Sequence, residues 1–396
     1  MQKVYLVLAL IIISRITLSS AQSTNIDCAS NRYDQEVFSS INITTDVVYG
    51  SSLNQSGGTT ILKMDIYQPD SDTVAIRPLI IWAHGGSFVA GTKNDGDVVA
   101  LCEHFAKRGY VCASIEYRLG VAFPPTRAGT ISAVWRAVHD MKAAVRFFRQ
   151  DAATTNVYKI DSDFIVAGGS SAGAFTSMHL AYLDQPSEIP AEIDTMIMGG
   201  LEGESGNPGF SSEVQSVVNL CGALGDKSYL QVGDAPLCSM HGTVDGTVPY
   251  ATAIINYLGI FPIMQVDGSY SINAYADSIG MVNQMYTYYG ADHVPYASNA
   301  ATMDTTVRFV SNFLFTQLGC IPSDPEPLPN TFNLNTTVSE IEGSFEIYPN
   351  PVSMELCIAL KNNVGKIDKI RINDISGKEL LLLNISEPKT KIDLSS

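Results

Sequence analysis

The chain has 396 residues, 45% hydrophobic and 16% charged, which is enough apolar surface for two or three folded units and excludes global disorder. Its 24 basic and 40 acidic residues leave a net charge of −16, which repels phosphate backbones and excludes nucleic acid as a partner.

Residues 1–21 open with Lys3, run through apolar residues from Val4 to Ile13, and end in Ser19-Ser20-Ala21. The run is well short of the roughly 20 residues a membrane span needs, so the segment reads as a secretory signal peptide cleaved before Gln22. No later stretch is long and apolar enough to be an integral membrane segment.

From residue 22 to 320 short β-rich runs alternate with helical periods, the pattern of an α/β sheet with crossover helices. Strands are predicted at residues 61–68, 79–83, 111–117, 164–167, 214–221, 237–241 and 284–289. A helix carrying Val98, Leu101, Cys102 and Phe105 is expected to begin at Asp97 and stop at Gly109. A second places Ile131, Val134, Val138, Met141, Val145 and Phe148 on a core face, with Arg136, His139, Lys142, Arg146 and Arg149 on the other faces. Residues 302–318 form a closing amphipathic helix.

Beyond Cys320 the composition shifts. Pro322, Pro325, Pro327 and Pro329 open a Pro/Asn/Thr-rich linker over 321–343. From 344 to 396 the hydrophobic period becomes two, through Met354, Leu356, Ile358 and Leu360, which predicts a small all-β module. With seven basic and seven acidic residues that module is neutral, so the acidity resides upstream.

The 7 cysteines contain no C-x-x-C pair, and the exported context favours disulfides over metal ligation. Spacing suggests Cys102–Cys112 and Cys221–Cys238, each closing a short loop, with Cys28–Cys320 tying the ends of the domain; buried free thiols are the alternative, and Cys357 is left over.

The most informative segment is Gly169-Ser170-Ser171-Ala172-Gly173, a G-x-S-x-G between a predicted strand and a predicted helix. A nucleophile lifted off a sheet on so tight a turn needs glycines at its flanks, and the helix that follows points its positive end at a developing oxyanion. Ser171 takes that position. His84-Gly85-Gly86-Ser87 follows another strand, and the amides of Gly85 and Gly86, with that of Ala172, are candidate oxyanion donors.

A serine hydroxyl needs a neighbouring base, and histidine has the right ordinary pKa. Of 6 histidines, His104, His139 and His179 fall in helices, His241 ends a strand, and His84 precedes the serine; His293 remains, in a loop after the last strand. Asp245, after the strand ending at His241, is the candidate carboxylate that orients it, with Asp234, Asp267 and Asp292 as rivals. No metal or other cofactor is expected. Tyr270, Tyr275, Tyr286, Tyr288 and Tyr289 either line an aromatic cleft or are strand tyrosines, and the loop 199–212 is a candidate border of the acyl pocket.

Together these motifs resemble the carboxylesterase and hormone-sensitive-lipase-like branch of the α/β-hydrolase superfamily over residues 45–318. Gly109-Tyr110-Val111, Glu116-Tyr117-Arg118-Leu119-Gly120 and His241-Gly242-Thr243-x-Asp245-x-x-Val248-Pro249-Tyr250 are similar to stretches of that family. Ser87 departs from it, standing where lipase-like members often carry a third glycine, and the length leaves no room for a large cap. The resemblance implies an α/β-hydrolase fold and a serine carboxylic-ester hydrolase acting on a small or polymer-linked ester through an acyl-enzyme.

The tail, with Tyr348-Pro349-Asn350-Pro351 and Asp374-Ile375-Ser376-Gly377-Lys378, resembles the type IX secretion sorting domain, read here as truncated at Ser396. That implies the type IX machinery as a partner and a secreted or cell-surface location. A prolyl-peptidase-like serine exopeptidase, a polysaccharide acetyl or feruloyl esterase, a polyester hydrolase, or a non-catalytic surface binding protein remain open alternatives.

Overall fold

The computed structural model describes residues 28–257 and 259–322, together with five strands of the C-terminal segment. The segment 1–21 expected to be a signal peptide and the expected linker beyond residue 322 lie outside the described residues. In chain order the elements are β1 (Ile41–Leu53), β2 (Thr59–Pro69), β3 (Arg77–Ala83), α1 (Gly96–Lys107), β4 (Val111–Ile115), α2 (Arg127–Ala153), β5 (Ile160–Ser170), α3 (Ala172–Tyr182), α4 (Thr195–Met198), β6 (Ser216–Leu220), β7 (Ala223–Leu224), β8 (Leu237–Gly242), β9 (Ala253–Tyr257), β10 (Phe261–Gly268), α5 (Ser269–Ile279), β11 (Asn283–Tyr288) and α6 (Ala300–Gln317). The tail contributes β12 (Phe345–Tyr348), β13 (Glu355–Leu360), β14 (Lys369–Asn373), β15 (Glu379–Asn384) and β16 (Lys389–Asp393), antiparallel wherever they pair.

Eight strands form one sheet in the order β1-β2-β4-β3-β5-β6-β8-β11. β1, β2 and β4 pair antiparallel, and every pair from β4 to β11 is parallel. Parallel strands must be covered on both faces, and β3 accordingly reads Arg-Pro-Leu-Ile-Ile-Trp-Ala with every residue buried. Alternation then divides its side chains: Ile80 and Trp82 join a core with α1 and α6, whereas Leu79, Ile81 and Ala83 face α2 and α3. Because β5, β8 and β11 run parallel, their carboxyl ends emerge at one sheet edge, which is where loops after each strand can meet.

Two expectations for the helices shift. α1 starts at Gly96 with Asp95 at its N-cap, so Asp97 falls in the first turn rather than at the boundary. α2 is longer than its apolar repeat, capped by Thr126, whose side chain accepts from the Gly129 amide. Its polar face is not solvated: His139, Lys142 and Arg146 are buried under the loop 199–212, bonding Gly200, Glu202 and Gly206. The loop thus fastens α2, and Leu201 is its one residue at the cavity described below.

The cysteines require a correction. Cys28 and Cys320 are bonded, joining the segment before β1 to the end of α6, with Cα atoms 5.5 Å apart. Cys102, Cys112, Cys221 and Cys238 are free thiols, each fully buried in the same core. Loop length suggested their pairing, but sheet and helix packing positions them as small hydrophobes, and burial pushes all four thiols up, Cys221 to about 12.

Candidate active site

Ser171 occupies the sharp turn from β5 into α3 at φ 54 and ψ −115, a conformation a side-chain-bearing residue adopts only when its surroundings enforce it. Its amide donates to the Leu220 carbonyl at 2.8 Å. A Cβ on Gly173 would sit 1.9 Å from the Ala83 carbonyl oxygen, and one on Gly169 would sit 2.1 Å from the Gly173 backbone, so the glycine flanks are a steric requirement. The neighbouring Ser170 turns inward to Tyr296 at 2.8 Å and is 1% exposed, which separates the two serines.

The Ser171 hydroxyl lies 2.8 Å from His293 Nε2, and His293 Nδ1–H donates to Asp245 Oδ2 at 2.6 Å. The other carboxylate oxygen accepts the Thr247 and Val248 amides, both at 2.8 Å. Burial alone would raise the Asp245 carboxyl, but the hydrogen bonds from His241 and His293 outweigh it and hold the group well below the usual carboxylate range. The rival Asp292 ties the two loops together, accepting the amides of Gly246 at 2.9 Å and His293 at 2.7 Å. Asp234 accepts the Gln231 amide within its own loop, and Asp267, near the end of β10, accepts the Lys227 amide from the segment after β7. Val294, directly after His293, is held at φ 47, rare for a β-branched residue.

The remaining histidines have other partners. His84 is buried, stacked 4.3 Å from Tyr117, with Nδ1 bonded to the Gly85 carbonyl. Burial pushes His139 down to about 3 and His179 down to about 4. His179 donates from Nδ1 to the Phe175 carbonyl and accepts the Gly225 amide at Nε2, so both ring nitrogens are engaged. His104 pairs with Glu36 at the surface. His241, near the end of β8 and four residues before Asp245, has its ring buried against that carboxylate, a contact the sequence alone does not signal.

Gly85 lies against the nucleophile, its missing Cβ position 3.4 Å from the Ser171 Cβ. Gly86 adopts φ +108, and a Cβ there would strike the Ala90 carbonyl at 2.1 Å. Ala172 opens α3, so its amide is among the helix-start N–H groups without an intrahelical partner. Among the described residues the cluster of metal-type donors is Cys221, Asp245 and His293, two of which already bond each other.

A cavity of about 690 Å³ opens beside Ser171 and Ala172. Its aromatic lining comes from Phe88, Trp135, Phe175, Tyr229 and Tyr257. The five tyrosines first considered do not line it; Tyr286 and Tyr288 belong to the core. No large cap is present among the described residues, but the β9–β10 hairpin, unforeseen from periodicity, contributes Ile255, Tyr257, Ile263 and Met264 to the wall.

A mostly parallel sheet flanked by helices, with a strained serine between β5 and α3 and acid and histidine loops after β8 and β11, defines an α/β-hydrolase. The BD-FAE family matches residues 64–224, and the secretion system C-terminal sorting domain matches residues 346–396. The fold is thus that of an α/β-hydrolase, and the chain is similar to the BD-FAE family over residues 64–224 and to a secretion sorting domain over residues 346–396.

Over 142 residues it is 29% identical to the probable carboxylic ester hydrolase LipM of Mycobacterium tuberculosis, a stretch covering 35% of this chain and 30% of that protein. The chain therefore spans under a third of the length of this curated relative. Among solved structures, Thermogutta terrifontis esterase 2 phosphorylated by paraoxon is 20% identical, with 72% of this chain and 96% of that chain covered and a TM-score of 0.49. Its apo form is 21% identical, with 70% and 95% covered and a TM-score of 0.48. The sorting domain supports export to the cell surface or beyond, and among the described residues no helix is long and apolar enough to cross a membrane.

Proposed function

We propose that the protein is a secreted serine carboxylic-ester hydrolase that works through an acyl-enzyme. The observation that carries this reading is the continuous chain from Ser171 Oγ through His293 to Asp245, at 2.8 and 2.6 Å. As Ser171 attacks the ester carbonyl, its proton passes to His293 Nε2, and the carbonyl oxygen becomes an oxyanion facing the amides of Gly85, Gly86 and Ala172. Asp245 keeps Nδ1 protonated and stabilises the imidazolium. His293 then protonates the leaving alkoxide, leaving the acyl group on Ser171. Water repeats the sequence: His293 takes its proton, the hydroxide adds to the acyl carbon, and collapse returns Ser171 and releases the acid. An apolar, aromatic cavity beside the nucleophile supports a carboxylic ester with an apolar group over a purely polar substrate.

The amino-terminal segment and the sorting domain support export through the inner membrane followed by the type IX machinery. The test is a panel of p-nitrophenyl esters of increasing acyl length, methyl ferulate and an aminoacyl amide, with wild type and Ser171→Ala. Ester turnover lost in the variant, with fluorophosphonate labelling of Ser171, is expected. Faster amide cleavage would make the protein an exopeptidase, and absence of both turnover and label would make it a binding protein.

A further inference from the structure

The α2 wall of the cavity carries two hydrogen-bond donors that no group in the described residues satisfies. Arg127, Thr130, Ile131, Val134, Trp135 and Val138 recur at three- and four-residue steps along the helix and all line the cavity. The apolar repeat of α2 therefore serves two purposes: its later turns pack under the sheet, whereas its first three turns face substrate space.

On that face the Thr130 hydroxyl and the Trp135 indole N–H are buried and meet no acceptor. Trp135 is 4% exposed, so water does not compensate it freely. The threonine is unusual within this protein. A helical threonine commonly returns its hydroxyl to the carbonyl four residues back, as Thr176, Thr305 and Thr306 do here. At Thr130 only the amide bonds Thr126, and the hydroxyl is left unspent.

Two other polar groups of the cavity, Arg127 and His179, are already committed. Arg127 is paired with Glu192 at 2.6 Å, and His179 has both ring nitrogens engaged. Trp82 also has an unpaired indole N–H, but it sits in the sheet core beside Phe105, where no ligand can enter. Trp135 differs because its surroundings include open volume.

We propose that the α2 wall recognises a hydrogen-bond acceptor on the apolar part of the ester. The substrate class is an ester whose apolar body carries a carbonyl, ether or hydroxyl oxygen, with Trp135 and Thr130 as the donors that read it. A cavity lined by apolar atoms alone discriminates weakly between chains of similar size, whereas a buried donor left unpaired penalises an analogue lacking the acceptor. This inference rests on the ester-hydrolase reading above.

The experiment uses the full chain and two matched sets of esters. One set pairs p-nitrophenyl alkanoates with the same chains carrying a keto oxygen at successive carbons; the other pairs acetates of alkanols with acetates of the corresponding keto-alcohols. The quantity read is the ratio of kcat/KM for the oxo ester to that for its parent, taken within each variant so that any general change in rate cancels. In wild type at least one oxo position should exceed its parent by about tenfold. That ratio should fall towards one in Trp135→Phe and in the near-isosteric Thr130→Val, and the set in which it falls tells whether the acyl or the alcohol group occupies the α2 wall. Parent esters turned over with no oxo preference in either set, or a preference that survives both substitutions, would overturn the recognition while leaving the ester-hydrolase reading intact. If no ester is hydrolysed and Ser171 takes no fluorophosphonate label, both readings fall together.

Discussion

His241 and His293 meet the same oxygen of Asp245, their Nε2 and Nδ1 atoms lying 3.0 and 2.6 Å from Oδ2. The Asp245 side chain is fully buried, so these contacts and the two loop amides replace its water shell. His241 Nδ1 faces the Ser269 hydroxyl at 2.7 Å, and Ser269 in turn accepts from Asn219 at 2.9 Å. The hydroxyl can supply Nδ1 with a proton donor, which leaves Nε2–H between the Val248 carbonyl at 3.2 Å and the carboxylate at 3.0 Å.

Replacing His241 by Leu should remove one donor from a buried carboxylate and cost about 1–3 kcal/mol of stability, read from the urea midpoint. With its charge less shared, Asp245 should hold the His293 imidazolium more strongly. The acid limb of the kcat/KM profile is then expected to move to higher pH; an unmoved limb with lowered stability would make His241 a packing residue only.

Ser171→Ala and Asp245→Asn should each leave a folded protein with ester turnover reduced by about 10⁴-fold or more. The Asn variant should still take a fluorophosphonate slowly, because the hydroxyl remains, whereas the Ala variant should take none. Mass spectrometry of the labelled peptide separates the two.

Stability should fall as the solution is acidified from neutrality. His139 and His179 are held neutral in the fold, lowered to about 3 and about 4, while the unfolded chain binds those protons near the ordinary histidine value of about 6.5. Between those limits the unfolded state carries more protons, so unfolding free energy rises with pH and is lost as pH falls. Asp245, depressed in the fold, adds a loss of the same sign once pH drops below the ordinary carboxylate range. Urea titrations at several pH values should show the decline starting near 6.5, and His139→Gln should flatten its upper part.

Reduction of the Cys28–Cys320 bond, which spans 292 residues of sequence, should cost about 2–5 kcal/mol without changing the active-site geometry. The Cys28→Ser/Cys320→Ser protein should therefore melt earlier yet keep its ester turnover at room temperature. The four core thiols should resist alkylation in the native state and react once the chain is unfolded.

Local backbone chemistry was legible in the amino-acid order. The elbow at Ser171 announces itself because flanking glycines are demanded within three residues of chain, and the strand and helix periods around it are equally local. Chain order and elimination among few histidines were enough to single out His293 and Asp245. What depended on strand order was hidden: the second histidine on Asp245, the hairpin beside the cavity, the loop that covers the polar face of α2, and the thiols left unpaired. His241 and Asp245 are only four residues apart while the other contacts span tens of positions, but in none does the spacing itself disclose the contact, and only the packing of parallel strands against helices brings the groups within a few ångströms.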